Sequence, residues 1–185
     1  MGYKRRVWYQ GAKYHITCRG NKKRDIFLDK LDFRVFVAIL REVKQKYSYS
    51  LISYCLMPNH IHLQLKTFDA EIWKIMRTIN WKYARYFNDR YNTVGHVFQG
   101  RYVSKIIENN YYNLIVNRYI HLNPVKDKLV LSPKDYHWSS YRVYLGEEKS
   151  ELVDEKEILG YFGGERGLYN KFIMKSSYHC KTYLS

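Results

Sequence analysis

The sequence predicts an α+β fold: a ferredoxin-like antiparallel sheet in the order βαββαβα, with helices packed on it and a C-terminal extension. Three observations predict it. Two β-α-β halves can be read one after the other, and a last helix follows them. The length, 185 residues, suits one domain or one domain with a small appendage. The hydrophobic fraction, 46%, is that of a globular core, and no internal repeat or low-complexity segment interrupts the chain.

The elements follow in order. Lys13 to Arg19, KYHITCR, reads as the first strand, ended by Gly20-Asn21. Asp29 to Lys46 reads as a helix, because Phe33, Phe36, Val37, Leu40, Val43 and Tyr47 recur at three-four spacing; Asp29 or Asp32 can cap its start. Ser50 to Met57 is a second strand, Pro58-Asn59 a turn, and His60 to Lys66 a third strand. Glu71 to Asn88 carries the clearest helical pattern, with Ile72, Ile75, Met76, Ile79, Tyr83 and Tyr86 as its buried stripe. Tyr91 to Gly95 reads as a loop and Arg101 to Ile107 as a fourth strand. Asn109 or Asn110 can cap a last helix running to about Leu122, where Pro124 is expected to stop it. Residues 1–145 form the domain so read. Residues 146–185, rich in glycine and mixed in charge, look like an added subdomain or arm.

Charge narrows the function classes. The net charge is +15, and it is unevenly spread: residues 146–185 hold six Lys/Arg and seven Asp/Glu, leaving 26 and 10 to the first 145. Eight basic residues precede the first acid, Asp25. Such a field attracts a polyanion, of which nucleic acid is the first choice. Twenty tyrosines and four tryptophans add flat faces on which unpaired bases can stack, although most must serve the core. Lys74, Arg77, Trp81 and Arg85 share one side of the Glu71–Asn88 helix, either as a solvated face or as a phosphate-contacting ridge with one stacking ring. Three cysteines (Cys18, Cys55, Cys180) with no CxxC pair argue against a disulfide scaffold or a cysteine zinc site. The apolar run Phe36 to Leu40 in a helix candidate is far too short to cross a membrane, and MGYKRRVWYQ has no apolar stretch after its charges. A cytoplasmic protein without a membrane partner is the expectation.

Two pieces carry chemistry. On the third strand Ile61, Leu63 and Leu65 point to one face, and His60, His62, Gln64 and Lys66 to the other. Residues i and i+2 on a strand lie roughly 7 Å apart at the backbone, so two rings there can converge on one ion. On the last helix Tyr119 and Asn123 stand one turn apart on a face that Tyr112 and Val116 extend. That sets a phenol, a potential nucleophile, beside a carboxamide oxygen, a potential hard ligand. His121 points away from Tyr119 and reads as structural. Taken singly, each piece is also compatible with ordinary packing or surface histidines.

The segments YHITCRGN, YCLMPNHIHLQL, FQGRYVS and NRYIHLNPV, followed by YHWSSY, resemble in content and order the IS200-like single-tyrosine HUH transposases, in particular the REP-associated tyrosine transposases, over about residues 3–145. The resemblance implies that His60 and His62 are metal ligands, Tyr119 the nucleophile and Asn123 the third ligand, at a place where a related branch carries Gln. It also implies a single-stranded or hairpin DNA substrate, often a palindromic repeat, cut and rejoined through a covalent 5′-phosphotyrosine. Mixed nitrogen and oxygen ligands suit Mg²⁺ or Mn²⁺ better than a closed zinc site. Lys4, Arg5, Arg6, Arg19, Lys22, Lys23, Arg24 and Arg101, with Lys74, Arg77, Trp81 and Arg85, are the residues expected to hold DNA. Whether two chains assemble as a homodimer stays open. Two rival readings remain: a protein that binds folded nucleic acid without cutting it, and a metal-dependent hydrolase that uses water.

Overall fold

The structure, a computed structural model, describes residues 7–175. Its central feature is a four-stranded sheet in the order β2-β3-β1-β4, formed by β1 (Lys13–Arg19), β2 (Tyr49–Met57), β3 (His60–Thr67) and β4 (Val103–Ile106). All three pairings are antiparallel. Helices α1 (Lys30–Lys46), α2 (Ile72–Tyr91) and α3 (Asn110–Lys126) complete the βαββαβα order, and α4 (Tyr141–Leu145), α5 (Lys156–Gly160) and α6 (Arg166–Met174) follow. The α+β, ferredoxin-like architecture read from the sequence is the one observed.

Alternation along the strands divides the structure into layers. Tyr14, Ile16 and Cys18 of β1 and Ile61, Leu63 and Leu65 of β3 are buried in one core with Phe36, Leu40 and Val43 of α1 and Ile72, Ile75, Met76, Ile79 and Tyr83 of α2. Asn80 of α2 donates to Cys18 Sγ at 3.6 Å, which fixes α2 on this face. α3 covers the opposite face, where Val116 and Ile120 pack with Cys55, Met57 and Ile107. Every residue of β2 is buried, because both of its faces are covered. Its outer edge is covered as well: Leu56 N–H donates to Trp138 O at 2.8 Å, and Val153 bridges Leu51. The described part of the C-terminal segment thus contributes Leu152, Val153, Ile158, Leu159, Tyr169 and Ile173 to the main core.

Local chemistry explains the element ends. Asp29 caps α1 by accepting from the Leu31 and Asp32 amides, and Asp32 reciprocates to the Asp29 amide. The Asp32 carboxylate is fully buried and accepts from Leu28 N–H (2.7 Å), Tyr86 O–H (2.9 Å), Tyr91 O–H (2.8 Å) and Arg90 Nη1 (2.6 Å). Tyr86, expected in the buried stripe, is half-buried because its hydroxyl reaches for this carboxylate. Asn109 caps α3 by accepting from Tyr112 N–H. The helix runs two residues past Pro124, where the sequence reading ends it. Pro124 forfeits only its own amide bond, and Asp127 N–H to Asn123 O (2.9 Å) and Leu129 N–H to Pro124 O (2.8 Å) close the last turn around it. β4 is shorter at both ends than the Arg101–Ile107 reading.

Candidate active site

β1 and β3 present a ladder of paired polar residues to the α3 face: Arg19 opposite His60, Thr17 opposite His62, His15 opposite Gln64, and Lys13 opposite Lys66. The far end of the ladder is satisfied by protein. Gln64 Nε2 donates to Asn113 O (2.9 Å) and Asn113 Oδ1 (2.7 Å), Ser53 donates to Gln64 Oε1 at 2.7 Å, and Glu157 pairs with Lys13 and Lys66. The near end holds the histidines and meets Tyr119.

α3 is fastened so that Tyr119 stays there. Its Asn113, Asn117 and His121 recur every four residues, and all are buried. Tyr169 of α6 donates its hydroxyl proton to Asn117 Oδ1 at 2.7 Å, so it can only accept from His121 Nδ1, 2.6 Å away. His121 Nε2 is then bare and accepts from Ser140 Oγ at 2.7 Å. His121 is therefore structural and neutral, and burial pulls its pKa down to about 3. Arg118 Nε donates to Ile173 O at 3.0 Å, tying α3 to the carbonyl end of α6.

The next stripe of α3 reaches the histidines. The Tyr119 ring stands edge-on to His62, with centroids 5.4 Å apart, and at 5.7 Å from His15. His60 and His62 have ring centroids 5.0 Å apart. Asn59 Oδ1 can only accept, so His60 carries its proton on Nδ1 and donates it across 2.6 Å, leaving Nε2 bare. His62 Nδ1 is turned inward, 3.2 Å from His15 Nε2 and 3.3 Å from Thr17 Oγ1, so its Nε2 too is the outward nitrogen. Asn123, almost fully buried, uses its amide N–H on Tyr119 O at 3.1 Å, which leaves the carboxamide oxygen as the donor atom for a ligand. Lys126 lies 5.2 Å from the Tyr119 ring centroid, one further turn along the same stripe.

Burial and nearby positive charge keep these imidazoles neutral at neutral pH. Burial lowers the His62 pKa well below the ordinary value, with further push from His15, His60 and Lys126. His60 is lowered by burial and, less, by Arg19 and Lys126, against a raising influence from Asp127. His15 is lowered to about 4 by burial and then by Lys105, which pairs opposite it on β4. Neutral imidazoles with outward Nε2 lone pairs are the form that binds a cation. Among the described residues no three His, Cys, Asp or Glu side chains are grouped to hold a metal.

The structure brings His60, His62 and Tyr119 together within one chain, and Asn123 lies one turn beyond Tyr119 on α3. Arg19 shares their face, and Arg101 lies in the loop leading to Val103, which pairs opposite Thr17. Lys22, Lys23 and Arg24 are exposed in the turn after β1; Lys22 and Arg24 line a cleft of about 520 Å³ with Phe87, Tyr91 and His96. Lys74, Arg77, Trp81 and Arg85 are exposed, but on the α1–α2 layer, across the sheet from Tyr119. There Lys74, Arg77 and Trp81 line a groove of about 580 Å³ with Lys46, Tyr47, Trp73 and Lys82. Lys4, Arg5 and Arg6 lie outside the described residues, as does Cys180.

Sequence reasoning missed His15, Thr17, Asn59, Lys105 and Lys126. Alternation in KYHITCR already separates His15, Thr17 and Arg19 from Tyr14, Ile16 and Cys18. Pairing that strand with the histidine strand would have placed the first set beside His62.

The family model "Transposase IS200 like" matches residues 9–123. A REP-associated tyrosine transposase, solved bound to a REP hairpin, superimposes with a TM-score of 0.68 at 18% identity, covering 83% of this chain and 94% of that one. A candidate transposase from Deinococcus radiodurans R1 gives a TM-score of 0.46 at 17% identity over 64% of this chain and 95% of that one. No curated protein sequence matches. No helix among the described residues is long and apolar enough to cross a membrane.

Proposed function

The chain belongs to the IS200-like transposase family, and from that premise we propose that it cuts and rejoins single-stranded DNA, with Tyr119 as nucleophile and His60, His62 and Asn123 as ligands of a divalent ion, Mg²⁺ or Mn²⁺. The observation that carries the reading is the meeting of Tyr119 with a histidine pair in which His60 has a bare Nε2 and His62 turns its Nδ1 inward and its Nε2 outward. An ion held there supplies electrophilic activation of the scissile phosphate and orientation of the departing oxygen. The phenol of Tyr119 gives up its proton as its oxygen bonds phosphorus. The P–O3′ bond breaks, its electron pair leaves with the 3′ oxygen, and that oxygen takes a proton to become a free 3′ hydroxyl. The 5′ phosphate stays on Tyr119, so the bond is conserved for rejoining without ATP. Lys126 and Arg19 add positive charge where the phosphate would sit.

The similar solved structure holds a REP hairpin, and by analogy the substrate proposed here is a hairpin or palindromic repeat with an unpaired segment. Arg19, Lys22, Lys23, Arg24 and Arg101, with the Trp81 groove on the far layer, are the proposed backbone and base contacts. The domain proposal is that residues 1–145 carry the chemistry and that the segment from residue 146 onward braces α3.

The test uses hairpin DNA labelled at its 5′ or 3′ end, incubated with Mn²⁺ or Mg²⁺ and resolved on a denaturing protein gel. The 3′ label should stay on the protein and be lost in Tyr119→Phe. Cutting that survives Tyr119→Phe but not His60→Ala would instead make the protein a hydrolase. Binding without cutting would make it a passive reader of folded DNA.

A further inference from the structure

We propose that His15, assisted by Thr17, is a positioning residue that holds His62 in the one tautomer able to bind an ion. The inference rests on the reading of His62 as a ligand and assigns a role to a side chain outside the His60–His62–Tyr119–Asn123 set.

The geometry is specific. His62 Nδ1 has two partners, His15 Nε2 at 3.2 Å and Thr17 Oγ1 at 3.3 Å. Both come from β1, where Thr17 is the direct cross-strand partner of His62 and His15 is two residues away on the same face. The two rings sit where exchange with solvent is restricted, His15 being 7% exposed and His62 4%, while Thr17 is half-buried. The His15 and His62 rings are nearly parallel, 24° apart, which keeps the two nitrogens in register.

Two proton arrangements satisfy the contact between the rings, and they have opposite consequences. If His62 carries its proton on Nδ1, it donates inward and its Nε2 presents a lone pair outward. If His15 carries its proton on Nε2 and donates, His62 Nδ1 is bare, its proton sits on Nε2, and the outward nitrogen cannot bind a cation. The second neighbour decides between them. One N–H can be shared by two acceptors in a three-centre bond, and two contacts of 3.2 and 3.3 Å suit such sharing. One ring lone pair cannot accept two good bonds at once. His62 is therefore the donor, and His15 and Thr17 both accept. Asn59 does the same for His60 with a single carbonyl oxygen. Orientation of a ligating imidazole through its other nitrogen is the general device; here a second imidazole fills the place usually taken by a carboxylate or a carbonyl.

The test reads tautomer and affinity separately. In metal-free protein labelled with ¹⁵N-histidine, the ring nitrogens of His62 should report a protonated Nδ1 and a bare Nε2. His15→Phe, which keeps a ring but cannot accept, should mix the two forms and weaken Mn²⁺ binding, followed by electron paramagnetic resonance, by about 10–100-fold. His15→Gln, whose side-chain oxygen can accept, should restore most of the affinity. A wild-type His62 protonated on Nε2, or a folded His15→Phe variant with unchanged tautomer and Mn²⁺ affinity, overturns the proposal. Should His15→Phe fail to fold, the wild-type tautomer still decides. If wild type binds no Mn²⁺ at all, the ligand reading itself fails, whichever tautomer is found.

Discussion

Acidification should destabilise this protein in a way that one buried side chain makes measurable. His121 is fully buried, donates to Tyr169, accepts from Ser140, and has no room for a second proton. Its folded pKa is about 3, against about 6.5 for an unfolded histidine. The unfolded chain therefore takes up the proton first as pH falls. Stability is complete above about pH 6.5 and declines below it, by about 1.4 kcal/mol per pH unit for one group. Between about pH 6.5 and pH 5, a range above most carboxylate titrations, His121 alone should cost about 2 kcal/mol. His15 and His62, also lowered by burial, act in the same direction. The assay is urea unfolding followed by tryptophan fluorescence at several pH values, with a chelator present so that metal linkage at the other histidines is removed. His121→Gln keeps a neutral donor and acceptor but cannot titrate, so its stability should fall less steeply than wild type by about one proton's worth. Equal slopes for the two proteins over that interval would refute the assignment of a neutral, closed network around His121.

Other perturbations follow from the same structure. Asp32→Ala leaves the Leu28 amide and two tyrosine hydroxyls without their buried acceptor, while Arg90 keeps Asp29, and should lower stability by about 2–4 kcal/mol in chemical denaturation. Gly20→Ala would set a Cβ 2.0 Å from Arg24 O, a backbone atom that cannot step aside; the turn after β1 should shift, seen as a lowered unfolding midpoint and faster proteolysis of residues 19–28. Removing Lys74 and Arg77 together should weaken DNA binding evenly across sequences and reduce the slope of log affinity against log salt by roughly 1.4–1.8, while cleavage of saturating DNA continues. Exchanging Asn123 for Gln should keep Mn²⁺ binding, whereas Asn123→Leu should lose it by titration calorimetry.

Much of this was legible from the residues alone, for physical reasons. The strand carrying His60 and His62 alternates cleanly, so its face assignment followed from a period of two, and α1 and α2 declare themselves by apolar stripes. α3 was harder. It is covered nearly all round, so polar Asn113, Asn117 and His121 are as buried as Val116 and Ile120, and no amphipathic stripe marks its orientation. Its extension past Pro124 depends on backbone bonds from Asp127 and Leu129 that no propensity reports. The partners of His62 come from a strand more than forty residues away, and strand pairing, not local pattern, brings them there. The α2 face of Lys74, Arg77, Trp81 and Arg85 was read as either a solvated face or a phosphate-contacting ridge, and all four side chains are exposed. Its placement across the sheet from Tyr119 depends on which layer α2 joins.

The mooring of α3 bears on what must travel during strand exchange. Buried bonds from Gln64, Tyr169 and Ser140, and the grip of Arg118 on the end of α6, leave α3 little freedom to swing away from His60 and His62. If Tyr119 holds a severed strand, the carrier is stationary, and the incoming 3′ end has to come to it. The reach of the reaction would then be governed by the slack in the nucleic acid between the two ends being joined, and lengthening that unpaired stretch should alter which ends are sealed without altering how fast the first one is cut.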